Sequence, residues 1–353
     1  MMHFGKKLLL AASVATVLTG ITDTASACTR VLWETQDHGV FVGRTMDWLE
    51  PNHPTIDVRA KGQSYRGYDG DNALEWTSKY SSIGVSLYGV GLVDGFNETG
   101  FSANALFLDE EAPGEKDNNK KQVQNARLIA YLLDSFATVE EALENIDSLQ
   151  VQQFEHNGIA MKGHYSLQDA SGDSAILQFI DGKWQVYHGK EYTVMTNSPT
   201  YQEHLDNWEA AKPKTESDYR GTFELPGNVS SDQRFIWNQY MRQQLTEPTS
   251  YTNGLAKTDS AMYKVPMDAA NREVNGQMAG YATIYSLAYN LDQKTMQVRY
   301  QFEDTYTHYY VDFEELNNGK NYSIAADKDD LFGNITDRLQ KRDGVMAQYR
   351  ISG

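Results

Sequence analysis

One residue in this chain would carry two reactive groups if the backbone were cut beside it. Cys28 is the single cysteine among 353 residues, and it follows Ala25-Ser26-Ala27. Ala25 and Ala27 are the small −3 and −1 residues that a signal peptidase reads. Cleavage there makes Cys28 the first residue. Its thiol and free α-amine then form a nucleophile and a base at fixed distance, with no second residue needed. Two charged residues stand where the chain returns toward it. Residues 29–34 alternate as a strand, Gln36-Asp37-His38-Gly39 is a turn, and 40–44 is a return strand. Arg44 and Asp47 therefore come close to Cys28. A guanidinium beside a thiol favours the thiolate. A carboxylate beside an ammonium holds it by a charge-assisted hydrogen bond. The same two residues on a surface would contribute little, and spacing alone leaves both readings open.

The segment before Cys28 has the layout of an export signal. Lys6 and Lys7 form a positive start, and 8–18 is an apolar run too short to span a bilayer well. Residues 1–27 are thus read as a signal peptide and 28–353 as a single folded domain, periplasmic or secreted. No later run reaches about 18 apolar residues, so no stable membrane insertion is expected after processing. A lone cysteine in an exported chain is a free thiol, a lipid attachment point or an intermolecular link. Lipidation blocks both sulfur and nitrogen and makes the chain a lipid-anchored binding protein. Ala25 stands at −3, where lipoprotein sites usually carry Leu.

Composition narrows the field further. The net charge of −17 excludes a phosphate-backbone binder, so no nucleic-acid partner is expected. There are 22 Tyr, 13 Phe and 6 Trp, enough to fill a core and to line a pocket for an apolar ligand. The chain has no HExxH or Cys/His ligand set, no GxSxG, no phosphate loop and no GxGxxG, so neither metal nor cofactor is expected. Asp69-Gly70-Asp71-Asn72 lacks the later ligands of a calcium loop and reads as a turn.

The elements that must position Cys28 follow from periodicity. Strands are expected over 82–91, in the 94–108 stretch, and at 165–169, 174–180 and 183–187. A late hairpin joins 282–289 to 295–302. Residues 109–121 form a loop. Residues 122–136 have a helical apolar face through Val123, Ala126, Ile129, Ala130 and Leu133. Thr138-Val139-Glu140-Glu141 is a capping box opening a second helix through residue 146. Helices are also expected over 201–211 and 231–245. Strand groups separated by helix groups indicate an α+β layered domain.

Several ordered motifs carry a resemblance. They are Cys28; Gly43-Arg44-Thr45-Met46-Asp47-Trp48; Asp94-Gly95-Phe96-Asn97-Glu98-Thr99-Gly100; Met195-Thr196-Asn197-Ser198-Pro199-Thr200; and Pro226-Gly227-Asn228-Val229-Ser230-Ser231-Asp232-Gln233-Arg234-Phe235. In this order they resemble the choloylglycine hydrolase family of N-terminal-nucleophile hydrolases, which holds penicillin V acylases and conjugated bile salt hydrolases. The resemblance implies a four-layered αββα fold and a homotetramer. It implies Cys28 as nucleophile, Asp47 positioning its amine and Arg44 against the thiol. Asn197 is to donate to the oxyanion, and Arg234 to complete the charged frame. Read alone, Asn197 is a turn residue before Pro199 and Arg234 a cation on a helix surface.

One position departs from the family pattern. Where many bile salt hydrolases carry Asn, this chain has Phe107 within Asn104-Ala105-Leu106-Phe107-Leu108. One oxyanion donor must then be a backbone N–H, which is chemically adequate. Phe107 with Trp48 suggests an aromatic pocket for an acyl group, though both could equally be core. The exported form and these aromatics resemble the Gram-negative branch, where penicillin V and N-acyl homoserine lactone acylases are found, the latter a quorum-quenching activity. The expected partner is a small N-acylated molecule. Bile salt hydrolysis is the alternative within enzymes.

Overall fold

The computed structural model describes residues 27–48, 50–156, 159–215, 223–226, 229–266, 273–274, 277–278, 281–302 and 304–344. All of the expected export leader but Ala27, together with Gly227 and Asn228 of the last motif, lies outside the described residues. The chain opens with the expected hairpin, β1 (Ala27–Glu34) and β2 (Val40–Trp48), closed by Gly39 at φ 67°. The return strand runs to Trp48 rather than Arg44. It is buried along nearly its whole length, so no polar alternation marks its end.

β3 (Thr55–Arg59), β4 (Ser82–Leu87), β5 (Gly91–Asn97) and β6 (Ser102–Leu106) lead into α1 (Asn125–Ser135) and α2 (Val139–Ile146). β7 (His164–Gln168), β8 (Ser174–Ile180), β9 (Lys183–His188) and β10 (Val194–Met195) follow. Next come α3 (Tyr201–Ala211), α4 (Ser231–Gln243) and α5 (Tyr251–Ala261). The chain then adds β11 (Ala282–Asn290), β12 (Thr295–Phe302), β13 (Thr305–Asp312), β14 (Asn321–Ala325), β15 (Phe332–Asn334) and β16 (Gln340–Arg342).

Two sheets result. One is ordered β10-β1-β2-β11-β12-β13-β15 and the other β9-β8-β7-β6-β5-β4-β3-β14-β16. Their inner faces share one core, in which Val31, Val42 and Leu287 of the first meet Ile56, Phe96 and Ile176 of the second. α1 and α2 cover the second sheet, where Leu128, Leu132 and Ile146 pack with Ala103, Leu167 and Leu177. Leu255 of α5 packs on Trp33, Phe41 and Ala288 of the first sheet. This is the expected αββα layering. Close approach of the layers needs glycine. A Cβ on Gly43 would lie 2.8 Å from Met262 Sδ and 2.9 Å from Thr258 Cγ2, just beyond and within α5.

Three element readings are corrected. Residues Lys121–Gln124 are not helical but pair in parallel with Leu149–Gln152. Their apolar spacing fits a helix, yet the backbone finds its partners on a strand that follows α2. The stretch 82–91 is broken by a tight turn at Tyr88 and Gly89, both with positive φ. α5 has no counterpart in the sequence reading, because Gly254 and several short polar residues blur its apolar face. The α2 cap forms as read at Thr138, whose Oγ1 accepts from Glu141 N at 3.2 Å. The Glu141 carboxylate, however, takes the Ala137 N–H instead of the Thr138 one. Among the described residues no helix is long and apolar enough to cross a membrane. Nor do they hold a group of three or more metal-ligating side chains.

Candidate active site

Strand register gathers the site around residue 28. In β1, Cys28 pairs with Met46 and Ala27 with Asp47 of β2, while Arg30 and Val31 pair with β10 on the other edge. Asn197 lies two residues beyond β10, so it returns beside Cys28. The Cys28 N–H donates to Asn197 Oδ1. Cys28 is 2 % exposed, and its sulfur lies 3.9 Å from Met46 Sδ and 3.9 Å from the Asp47 carbonyl oxygen.

Two buried guanidiniums bracket this residue. Arg44 donates through Nε to Asp94 Oδ1 at 2.9 Å, through Nη2 to Ala105 O at 3.2 Å, and through Nη1 to Thr45 O. Burial by itself would lower its pKa. Asp94 foremost, and then Cys28, outweigh that and raise it, so Arg44 stays charged beside the thiol. Arg234 reaches in from the first turn of α4 and is fully buried, which rules out the helix-surface reading. Its Nη1 donates to Cys28 O at 2.6 Å and Thr29 Oγ1 at 2.8 Å, and its Nη2 to Asn197 Oδ1 at 3.1 Å. It also lies 4.0 Å from Asp47 Oδ2.

Asp47 is buried with this cation as its nearest charge. Burial pushes its carboxyl up to about 6, against the pull of Arg234 and of the Thr283 hydroxyl, which donates to Oδ1 at 2.6 Å. The resemblance gave the Cys28 amine to Asp47. In this chain, continuous through Ala27, the acceptor on the Cys28 nitrogen is Asn197, and Asp47 is engaged by Thr283 and, at 3.4 Å, by Thr45. The physical reason is donor count. A peptide nitrogen has one hydrogen to give, and an ammonium has three.

Asn197 differs from expectation in a similar way. Its Nδ2 already donates to Phe107 O at 2.9 Å. Two donors on Oδ1 fix which way the amide points. A primary amide carries two N–H bonds, so one remains for an oxyanion. The backbone carbonyl of Asn197 is held in turn by His204 Nε2 at 2.7 Å. Burial lowers that imidazole to about 4, which keeps it neutral at physiological pH.

A mostly apolar cleft counts Cys28 among its lining residues. Trp48 and Phe107 both line it, half-buried, with ring centroids 6.4 Å apart and planes at 60°. They are cleft walls as well as packing residues. Sequence reasoning missed Asp94 and Tyr285. Asp94 accepts from Arg44 and from Asn104 Nδ2 at 2.9 Å, and from the Tyr285 hydroxyl at 3.2 Å. Asp94 stood in a quoted motif, but nothing in the spacing joined residue 94 to residue 44. The assembly can hold a thiolate, orient a nitrogen beside it and offer an amide N–H to developing negative charge in a water-poor cleft.

Residues 28–325 match the family described as linear amide C–N hydrolases, choloylglycine hydrolase family. A penicillin V acylase of Pectobacterium atrosepticum is 35% identical over 227 residues, 60% of this chain and 58% of that protein. The match thus spans less than two thirds of that relative. A bile salt hydrolase/transferase of Bifidobacterium longum subsp. longum is 26% identical over 234 residues, 59% of this chain and 72% of that one. Among solved structures, penicillin V acylase from Agrobacterium tumefaciens superposes with a TM-score of 0.79 at 27% identity, over 92% of this chain and 100% of that one. A conjugated bile acid hydrolase from Clostridium perfringens has a TM-score of 0.70 at 18% identity, over 86% and 98%, a likeness of fold.

Proposed function

Because the chain belongs to the choloylglycine hydrolase family of linear amide C–N hydrolases, we propose that its processed form cleaves the amide bond of N-acylated small molecules, with Cys28 as N-terminal nucleophile. The observation that carries this reading is the setting of the single cysteine. It lies on the floor of an apolar cleft, with Asn197 on its nitrogen and Arg234 on its carbonyl oxygen. The family match begins at the same residue, which supports cleavage before Cys28, and the charged start, apolar run and Ala25-x-Ala27 of the leader are what speak for export.

The steps follow from the groups present. An α-amine, with a reference pKa of roughly 7.7–8.0, takes the thiol proton near neutral pH. The thiolate attacks the amide carbonyl carbon, and the carbonyl π pair moves onto oxygen. The Asn197 amide and a backbone N–H hold that oxyanion. Collapse breaks the C–N bond. The Cys28 ammonium returns its proton to the leaving amine, and a thioester remains. Water, deprotonated by the same amine, attacks the thioester and releases the acid and the thiol. Arg44 holds the negative charge on sulfur when the thiolate attacks and when it leaves, and Asp47 and Arg234 keep the ammonium and the Cys28 carbonyl in register.

Trp48 and Phe107 favour an aromatic or chain-like acyl group, which supports penicillin V and N-acyl homoserine lactones over conjugated bile salts as substrates. The test uses processed, exported protein. Its intact mass is expected to begin at Cys28 with no addition, and it is expected to hydrolyse penicillin V or acyl homoserine lactones. Sedimentation is expected to give the tetramer the resemblance implies. Full activity with residues still attached upstream of Cys28 would refute the amine's role. A lipid-sized mass increment would point to an anchored binding protein instead.

A further inference from the structure

We propose that Glu111 is a positioning residue that fastens the far wall of the acyl cleft and so determines how long an acyl chain the cleft accepts. This rests on the reading of the cleft as the acyl site. Glu111 is 1 % exposed and does not line the cleft, yet three residues that do line it converge on its carboxylate. Oε1 accepts from the Tyr165 hydroxyl at 2.9 Å, and Oε2 accepts from Gly163 N at 2.9 Å and Asn125 Nδ2 at 3.2 Å. These come from β7, from the segment just before it and from the start of α1.

Asn125 passes the constraint on. Its Nδ2 also donates to Met161 O, and its Oδ1 accepts from Phe154 N at 3.0 Å. Phe154 and Met161 are cross-strand partners in a small two-stranded ribbon that is part of neither large sheet. Their side chains form apolar wall on the cleft. The side chain of Gln153, at the foot of the ribbon, donates to the Glu111 carbonyl at 3.0 Å. One buried carboxylate therefore joins α1 to β7, and through Asn125 it holds the ribbon. The other groups facing this region are Lys162, which donates to Asp109 O at 2.6 Å and Oδ1 at 3.0 Å, and the Tyr165 phenol. The carboxyl is pushed up to about 7, chiefly by burial, against Gly163, Tyr165 and Asn125, which marks how far it has been withdrawn from water.

The geometry separates two substitutions. All three groups on the carboxylate are donors. Glu111→Gln keeps an oxygen toward Gly163 and Asn125 and turns its NH2 to the Tyr165 oxygen, whose hydroxyl can rotate to accept. Glu111→Ala removes all three ties on the carboxylate and keeps the Gln153 bond to the backbone carbonyl. The experiment compares kcat and KM for a butanoyl and a decanoyl homoserine lactone in processed wild type, Glu111→Gln and Glu111→Ala. Glu111→Ala is expected to lower the decanoyl-to-butanoyl ratio of kcat/KM about tenfold, the size of effect a few misplaced methylene contacts produce. The loss is expected in KM, and Glu111→Gln is expected to restore most of the ratio. If Glu111→Ala does not fold, Asn125→Ala cuts only the branch to Phe154 and Met161 and carries the same expectation. An active wild type with an unmoved ratio in the folded variant, or an equal loss on both substrates, overturns this proposal alone. A wild type inert on every acyl amide overturns the functional reading and this proposal with it.

Discussion

Asn197→Asp replaces one NH2 by an oxygen in a side chain of almost unchanged size. The acceptor oxygen survives, so the bonds from Cys28 N and from Arg234 Nη2, the latter at 3.1 Å, are retained. The losses fall on the other atom. The donor that meets Phe107 O at 2.9 Å becomes an oxygen facing an oxygen. The second N–H, assigned above to the oxyanion, disappears. Removing one oxyanion donor costs about 3–4 kcal/mol, or about 10²–10³ in kcat. The new carboxylate adds repulsion toward the developing charge, offset in part by Arg234. Asn197→Asp is therefore expected to be at least as slow as Asn197→Ala, with kcat down by about 10³. The assay is penicillin V or acyl homoserine lactone turnover by processed enzyme. Alkylation of Cys28 by iodoacetamide and a thermal melt accompany it, to show that thiol and fold remain. A kcat within tenfold of wild type in a folded, alkylatable variant would remove Asn197 from the oxyanion site.

Two further outcomes are expected. Burial raises the Asp47 carboxyl to about 6 beside a Cys28 peptide nitrogen, and the ammonium of the processed chain draws it down from there, so kcat/KM is expected to fall on the acid side of that value and Asp47→Asn to lack this limb. The folded pKa is raised above the unfolded 3.8, so the stability linked to this group is full below about pH 4 and is lost as pH rises through about 6. The shift is worth roughly 3 kcal/mol. Urea midpoints of wild type and Asp47→Asn should then converge toward the acid side, and equal differences at both ends would contradict the assignment. Arg44→Gln is expected to slow alkylation of Cys28 at neutral pH and to leave Asp94 buried without its cation, at a cost of about 3–5 kcal/mol. The Arg44→Gln/Asp94→Asn double variant should recover part of that stability in denaturant titrations, and strict additivity of the two single losses would refute the pairing.

The parts of this fold that could be read from sequence are those whose partners are near in the chain. The β1–β2 hairpin, β8 with β9, and β11 with β12 are all bounded by Gly, Asn or Asp turns, and each forms where turn chemistry puts it. The 121–124 stretch failed because its ladder partner begins 28 residues later, at Leu149. The site divides along the same line. Arg44 and Asp47 followed from one hairpin. Asn197 and Arg234 bond to Cys28 across separations of 169 and 206 residues, and only the resemblance pointed to them. Glu111, Asp94 and His204 act by holding other groups in place, and no residue type announces that role.

The strand order has a further consequence for when the chain can first act. β1, which carries Cys28, lies between β2 and β10, and β2 is flanked by β11, whose Thr283 completes the bonding of Asp47. Translation emits β11 only after some 280 residues have left the ribosome. Until then Asp47 has no hydroxyl from β11, and β2 has an open edge. Synthesis therefore delivers the thiol first and the hydroxyl that completes the bonding of Asp47 close to last.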